Sequence, residues 1–438
     1  METERIGRLR EAMLQPVDAA SVVAFRAAFG ALMLVGVVRY FTHGWIAEYF
    51  LRPRHFFPHY GFEWVRPWPG AGMYVHFAAM GVLAALVAAG VRYRACAALF
   101  GALFAYAHLI DKTNYLNHYY LVICLSFLLA ALPPPRRSTV PAWVPWALRA
   151  QVGLVYLFGG IAKLKGDWLA GAQPMKLWLA ASTDFPLVGR FLGEPWVAHG
   201  ASLAGAAFDL SIVPLLLWRR TRPFAYLAVV AFHLVTARLF PLGMFPWIMM
   251  AGSLIFLPPD WPRRAMARLG WKLGSSAANG PPVAFAPRRL AFGLLGVYFA
   301  FQLLMPLRHL LYPGDVCWTE EGFRFSWNVM LMEKDGSVDF RVTEPSTGKR
   351  WVVTPGEYLT RYQAKMLSSQ PDMILQLAHV VAEDFRARGV RDPEVRADAF
   401  ASLNGRRHAR LIDPAVDLAR ESDGLTPKRW ILPLEGQP

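Results

Sequence analysis

The chain has 438 residues and a formal net charge of +15, with 55% hydrophobic residues, 16 Trp, 29 Phe and only 18% charged residues. It is too apolar and too aromatic for an ordinary soluble enzyme. The cations sit in alternate connections between apolar runs: Arg92 and Arg94, Arg136 and Arg137, Arg219, Arg220 and Arg222, then Arg263, Arg264, Arg268 and Lys272. This is the positive-inside pattern of cytoplasmic loops, so the charge reads as a topology signal and no nucleic acid is expected as a partner.

The polar stretch Met1–Ala20 has no apolar run with a small-residue cleavage site, so it is expected to stay uncleaved and cytoplasmic. Apolar runs follow at 21–39, 72–91, 95–110, 117–132, 146–164, 200–218, 223–240, 243–257 and 290–311, each bounded by Pro, Gly or charge. They predict an all-α polytopic membrane bundle of about nine transmembrane helices over residues 1–312, in contact with the lipid bilayer. An odd number places the C-terminal part opposite the cytoplasmic N-terminus, in the periplasm or lumen. The two long outer connections, Tyr40–Gly70 and Lys165–His199, carry the aromatics of an interfacial belt and are expected on the membrane surface.

Residues 313–438 read as an extramembrane α+β domain. Ser337–Thr343 and Arg350–Thr354 alternate around a turn and predict a hairpin. Pro371–Gly389 has an apolar helical face. Glu394–Leu403 and Arg407–Ile412 flank Asn404-Gly405 as a second hairpin.

An ionisable group inside a span is costly and is by default a functional candidate. Five stand out: Arg26, His118, Lys163, Asp209 and His233. Lys163, at the outer end of the fifth run, either snorkels to the interface or is held in an apolar pocket as a free amine able to act as a base. The Gly159-Gly160 pair one turn earlier would admit a close neighbour or a flat ligand. His118, at the outer start of the fourth run, comes out at similar depth and is either an interfacial imidazole or a catalytic one. Asp209 and His233, about ten residues into neighbouring antiparallel runs, are expected to form a buried structural pair. Arg26 lies close enough to the cytoplasmic surface to snorkel. Cys96, Cys124 and Cys317 show neither a disulfide framework nor a metal spacing, and no phosphate loop or nucleophile elbow is present. What remains is an acid/base membrane enzyme that needs a lipid-soluble partner.

At these residues the chain resembles the vitamin K-dependent γ-glutamyl carboxylases, which belong to the wider HTTM class. Asp111-Lys112-Thr113 with Asn117-His118, Arg149 and Gln151, and Tyr156 through Trp168 with Lys163 look like that family's segments. So do His199-Gly200, Asp209-Leu210-Ser211, Phe232-His233, Gly243-Met244-Phe245, Trp318-Thr319, Ser326-Trp327, Met330, Asp413-Pro414 and Trp430. The resemblance implies a bacterial-type enzyme that uses reduced vitamin K or menaquinol, with O2 and CO2 as co-substrates and no metal. The lysine matching Lys163 deprotonates the hydroquinone. Oxygenation then yields a strong base, which removes a γ-proton from a peptide glutamate, and the carbanion captures CO2 while the quinone leaves as its epoxide. His118 and Asn117 are implied at the glutamate step. Gly159, Gly160, Trp318, Phe323, Ser326, Trp327, Met330 and Lys334 are implied as substrate or quinone pocket.

Departures from the family pattern are Phe323 for a tyrosine, Met332 for a histidine and Lys334 for an arginine, all on the glutamate side. They are expected to weaken peptide binding. The sequence also ends soon after Trp430, short of the animal enzymes' lumenal extension, so propeptide docking is not carried over. Two alternatives stay open: an epoxidase without carboxylation, and a non-catalytic binding or transport protein on the same scaffold.

Overall fold

The computed structural model describes residues 2–271 and 289–434. Lys272 and residues 435–438, which figure in the expectations above, lie outside the described residues. Each of the nine apolar runs carries a helix: α1 Ala20–Thr42, α2 Gly72–Ala89, α3 Tyr93–Leu109, α4 Asn117–Ala131, α5 Trp143–Ala162, α6 Pro195–Leu217, α7 Arg222–Leu239, α8 Phe245–Ser253 and α9 Arg289–Leu304. Among the described residues, five stretches are long and apolar enough to cross a bilayer: Ala20–Thr42, Gly72–Ala89, Trp143–Ala162, Pro195–Leu217 and Leu290–Leu311. Nine full spans are therefore not established. α4, with 15 residues, extends only about 22 Å at 1.5 Å per residue, against about 30 Å of hydrocarbon.

Local chemistry fixes the helix ends. α2 stops at Gly90, whose φ of 84° is left-handed, and its N–H caps the Leu86 and Val87 carbonyls. Arg26 does not reach water as expected. It is buried, and its guanidinium donates to the Val87 and Ala88 carbonyls at that same helix end, where the helix dipole favours a cation. The α5–α6 crossing depends on Gly160: a Cβ there would sit 2.8 Å from Leu210 side-chain atoms and 3.1 Å from the Leu210 backbone nitrogen. Gly160→Ala should cost about 1–3 kcal/mol by overpacking, read as a lower Tm in detergent. Gly159→Ala, which meets only Asp209 Oδ2 at 3.5 Å, should fold normally.

The C-terminal part is a four-stranded antiparallel sheet with two helices. Strands β1 Lys334–Thr343, β2 Arg350–Val353, β3 Glu394–Leu403 and β4 Ala409–Arg410 lie in the order β2-β1-β3-β4. The first expected hairpin pairs Thr343 with Arg350, as its turn dictates. The second is shorter than expected, with only Ala409 and Arg410 opposite Ala401 and Phe400. What joins the hairpins is the ladder from Lys334↔Leu403 to Thr343↔Glu394. Helix α10 Arg361–Leu367 precedes α11 Pro371–Ala387, whose apolar face (Ile374, Leu377, Ala378, Val381, Phe385) is buried as its periodicity requires.

Two apolar cores result. One unites the membrane helices; the other unites the sheet, α11 and the 165–192 connection through Trp168, Met175 and Leu179. The segment between Trp318 and β1 passes from one to the other. Trp318 is buried in the sheet core and Trp327 in the membrane core. To make that plunge the backbone takes left-handed φ values at Glu320, Gly322, Phe325, Trp327 and Met330. Such values are costly for non-glycine residues and persist only where the surroundings impose them.

Candidate active site

The Gly160–Leu210 approach brings Asp209 of α6 beside the last turn of α5. Lys163 follows that turn directly and is 5% exposed. Its Nζ donates to Asp209 Oδ2 at 2.9 Å, to the Gly159 carbonyl at 3.2 Å and to the Val329 carbonyl at 3.4 Å, and it lies 5.3 Å from the Trp168 ring centroid. The snorkelling alternative for Lys163 is thus not what the structure shows. Nor is the amine isolated, because a carboxylate completes it.

The expected Asp209–His233 pair does not form. His233 Nε2 instead lies 3.0 Å from Tyr156 Oη, which also meets Ser253 Oγ at 3.2 Å. His233 Nδ1 is buried without a hydrogen-bond partner among the described residues. Equal depth along two helices says nothing about which way each side chain turns.

Lys163, Asp209, Tyr156, Trp168 and His233 line a mostly apolar cavity of about 220 Å³. Of the two glycines, Gly159 lines it, whereas Gly160 is taken up by the helix crossing. His118, buried in the first turn of α4, lines a second cavity of about 590 Å³. Leu242, Phe245, Val329 and Met330 line both. Lysine and imidazole therefore occupy adjoining chambers with a common wall, not one chamber.

The membrane helices hold that wall through its backbone. Asn117 Nδ2 donates to the Asn328 carbonyl at 3.0 Å, next to the Val329 carbonyl that accepts from Lys163. Tyr115 Oη donates to Asn117 Oδ1 at 2.9 Å and accepts from the Phe325 N–H at 2.6 Å. Both halves of the Asn117 amide are therefore used in positioning the inserted segment.

Most of the other expected pocket residues lie elsewhere. Trp318 donates its Nε1–H to the Leu432 carbonyl, and Lys334 Nζ binds the Trp318 carbonyl at 2.6 Å and Glu320 at 3.1 Å. Phe323 and Met332 pack on the sheet core, Ser326 donates to the Gly322 carbonyl, and Trp327 stacks near Tyr120 with ring centroids 5.0 Å apart. None of these six lines either chamber; of the predicted loop residues only Met330 does. The departures at Phe323, Met332 and Lys334 are therefore absorbed by packing and by an internal ion pair.

Two polar clusters pin the sheet part onto the bundle, and their partners could not be paired from sequence. Lys112 Nζ and Arg324 Nη1 both bind Asp372 Oδ2, at 2.8 and 2.7 Å. Burial opposes ionisation of Asp372, but the Arg324 guanidinium and Lys112 ammonium outweigh it and hold the carboxyl well below the usual carboxylate range. Asp111 accepts from Thr113 and from Gln363 Nε2 at 2.8 Å. Here burial prevails over those hydrogen bonds and pushes the carboxyl up to about 6. A raised folded-state value means Asp111 supports folding fully below about pH 4, where the free carboxyl takes up its proton, and loses that support as pH rises through about 6. Asp111→Asn should therefore flatten the fall in Tm between those pH values, measured by thermal unfolding in detergent.

Apolar helices, a buried amine–carboxylate couple lining a mostly apolar chamber and a following α+β part define an integral membrane protein with an ionisable site beside an apolar cavity. Residues 14–261 match the family model of the HTTM domain, and residues 287–437 match that of the vitamin K-dependent gamma-carboxylase lumenal domain. The chain belongs to the vitamin K-dependent γ-glutamyl carboxylase family. That family implies reduced vitamin K as cofactor, glutamate-containing substrates, and an extracytoplasmic C-terminal part. No solved structure matches the chain significantly.

Proposed function

We propose that this protein oxidises a reduced naphthoquinone, menaquinol or a close relative, and couples that reaction to addition of CO2 at the γ-carbon of a peptide glutamate on the outer side of the membrane. The observation that supports this is the Lys163–Asp209 couple, buried at one wall of an otherwise apolar chamber. The residues present fit a flat hydroquinone: apolar walls from Phe245 and Leu239, an aromatic face at Trp168, and a free acceptor or donor at the partnerless His233 Nδ1. When bound, the reduced quinone together with dioxygen supplies a base far stronger than any side chain.

The chain's own groups have a simpler task. Lys163 Nζ passes its own proton to Asp209 Oδ2 over the 2.9 Å hydrogen bond and takes a hydroxyl proton in its place, so the couple gains one positive charge that balances the negative charge left on the ligand oxygen in a low-dielectric site. Val329 and Gly159 carbonyls orient the amine. Trp168 and the apolar walls exclude water, which would quench a strong base. His118, in the adjoining chamber, serves the glutamate side, and Asn117 positions the shared wall. With the N-terminus cytoplasmic, Arg39 at the end of α1, His118 at the start of α4 and Lys163 at the end of α5 put both chambers at the outer-leaflet end of the bundle.

Purified protein given reduced naphthoquinone, oxygen and labelled bicarbonate, with a glutamate peptide, tests this when epoxide and fixed label are scored separately. Both products are expected. Epoxide without label would leave only the epoxidase reading, and neither product would overturn the proposal.

A further inference from the structure

The 590 Å³ chamber beside His118 contains a cation that the lysine chemistry does not use. Arg39, near the outer end of α1, is the only lysine or arginine lining it among the described residues. Among the described residues no carboxylate pairs with its guanidinium, which lies 5.2 Å from the Trp45 ring centroid. Trp45 lines the same chamber and holds the group by its face, leaving the edge with its N–H donors free. Across the space, Asn114 Oδ1 is buried without a hydrogen-bond partner among the described residues. Two of the phenols there are engaged within the protein: Tyr40 Oη with Tyr119 Oη at 2.9 Å, and Tyr362 Oη with the Thr113 carbonyl at 2.9 Å. An unpaired cation and a lone buried acceptor in one chamber call for a ligand with an anion and an N–H donor.

We propose that Arg39 is the carboxylate-binding residue for the acceptor glutamate, with Asn114 Oδ1 accepting an N–H of the same peptide. The assignment rests on the glutamate-directed function above. Arg39 then replaces the expected clamp at position 334, whose lysine is spent on Glu320. A guanidinium over an indole presents a planar fork that matches a carboxylate, which an ammonium cannot reproduce.

The test is peptide binding, without quinol, to wild type, Arg39→Gln and Arg39→Lys in a phosphate-free detergent, using a short single-glutamate peptide and its glutamine counterpart. Wild type should prefer glutamate by 10-fold or more. Arg39→Gln should weaken glutamate binding at least 10-fold and bring the two peptides to near equality, and Arg39→Lys should fall between. In turnover, KM for the peptide should rise more than kcat falls. Should Arg39→Gln not fold, Arg39→Lys carries the same comparison.

Equal glutamate affinity in wild type and variant overturns the assignment. If the anion is instead a lipid phosphate, Arg39→Gln changes retention of anionic phospholipid and leaves the peptide Kd alone, which overturns it too. Arg39-dependent glutamate binding without any fixed label would sink the carboxylase reading while keeping this site. Fixed label with an Arg39-independent KM would do the reverse.

Discussion

Lys163→Ala abolishes quinol-dependent oxygen uptake, a loss of roughly 10³-fold or more, within the range a positioned acid/base group contributes. Two consequences are mixed in that variant. The proton acceptor is gone, and Asp209 is left as a buried carboxylate without its partner, which costs about 3–5 kcal/mol when a buried pair is broken. Lys163→Arg separates them. The guanidinium still offers Asp209 a cation, so the helices stay together, but arginine does not give up its proton in proteins and cannot act as a base. Lys163→Arg should therefore keep most of its Tm and be as inactive as the alanine variant. Retained oxygen uptake in Lys163→Arg would show that the couple acts only as a fixed charge. Asp209→Asn, which keeps the amine but removes the second station for the proton, should lower uptake by about 10- to 100-fold.

The second large effect is on stability. Asp372→Asn leaves Lys112 and Arg324, two largely buried cations, facing each other across a neutral amide. The cost should be about 3–5 kcal/mol, the range for an uncompensated buried charge, read from unfolding in detergent. The pH dependence follows from the sign of the shift. A carboxyl held below its free value contributes stability that is complete above about pH 4 and is lost as pH falls further. The gap between wild type and Asp372→Asn should therefore be constant at neutral pH and close in strong acid. A gap that instead widened with acid would contradict the two-cation arrangement.

The same variant should reach the active site. Arg324 begins the stretch whose Phe325 N–H is held by Tyr115 and whose Val329 and Met330 wall both chambers. Loosening its anchor should raise KM for quinol and peptide together, a pattern that neither Lys163→Arg nor Arg39→Gln produces.

Much of this was open to reading in the chain itself, and for a physical reason. A bilayer demands long apolar stretches, so each of the nine runs coincides with a helix, although among the described residues five are clear spans by length and composition. Alternation and turn chemistry located the first hairpin and the amphipathic helix from Pro371. The expense of burying charge singled out Lys163, Asp209, His118 and His233 as residues needing partners.

Choosing the partners required the third dimension. Period and depth place a side chain along a helix axis but not around it, so Asp209 was matched to His233 when the Gly160 crossing turns it to Lys163. Trp318, Phe323, Trp327 and Lys334, expected at a pocket, likewise line neither chamber. Proximity to Met330 in sequence did not show that the segment folds through five left-handed residues and commits all but its tip to packing.

Composition, periodicity and the cost of buried charge thus determined by themselves that the protein lies in a membrane, that an α+β part follows its helices, and that Lys163 needs a partner. The tertiary structure alone decided that its hydrogen-bond partner is Asp209, that lysine and histidine line adjoining chambers, and that Arg39 lines the second. Such pairings join residues distant in sequence, and their energies depend on distance and direction, which no local pattern encodes.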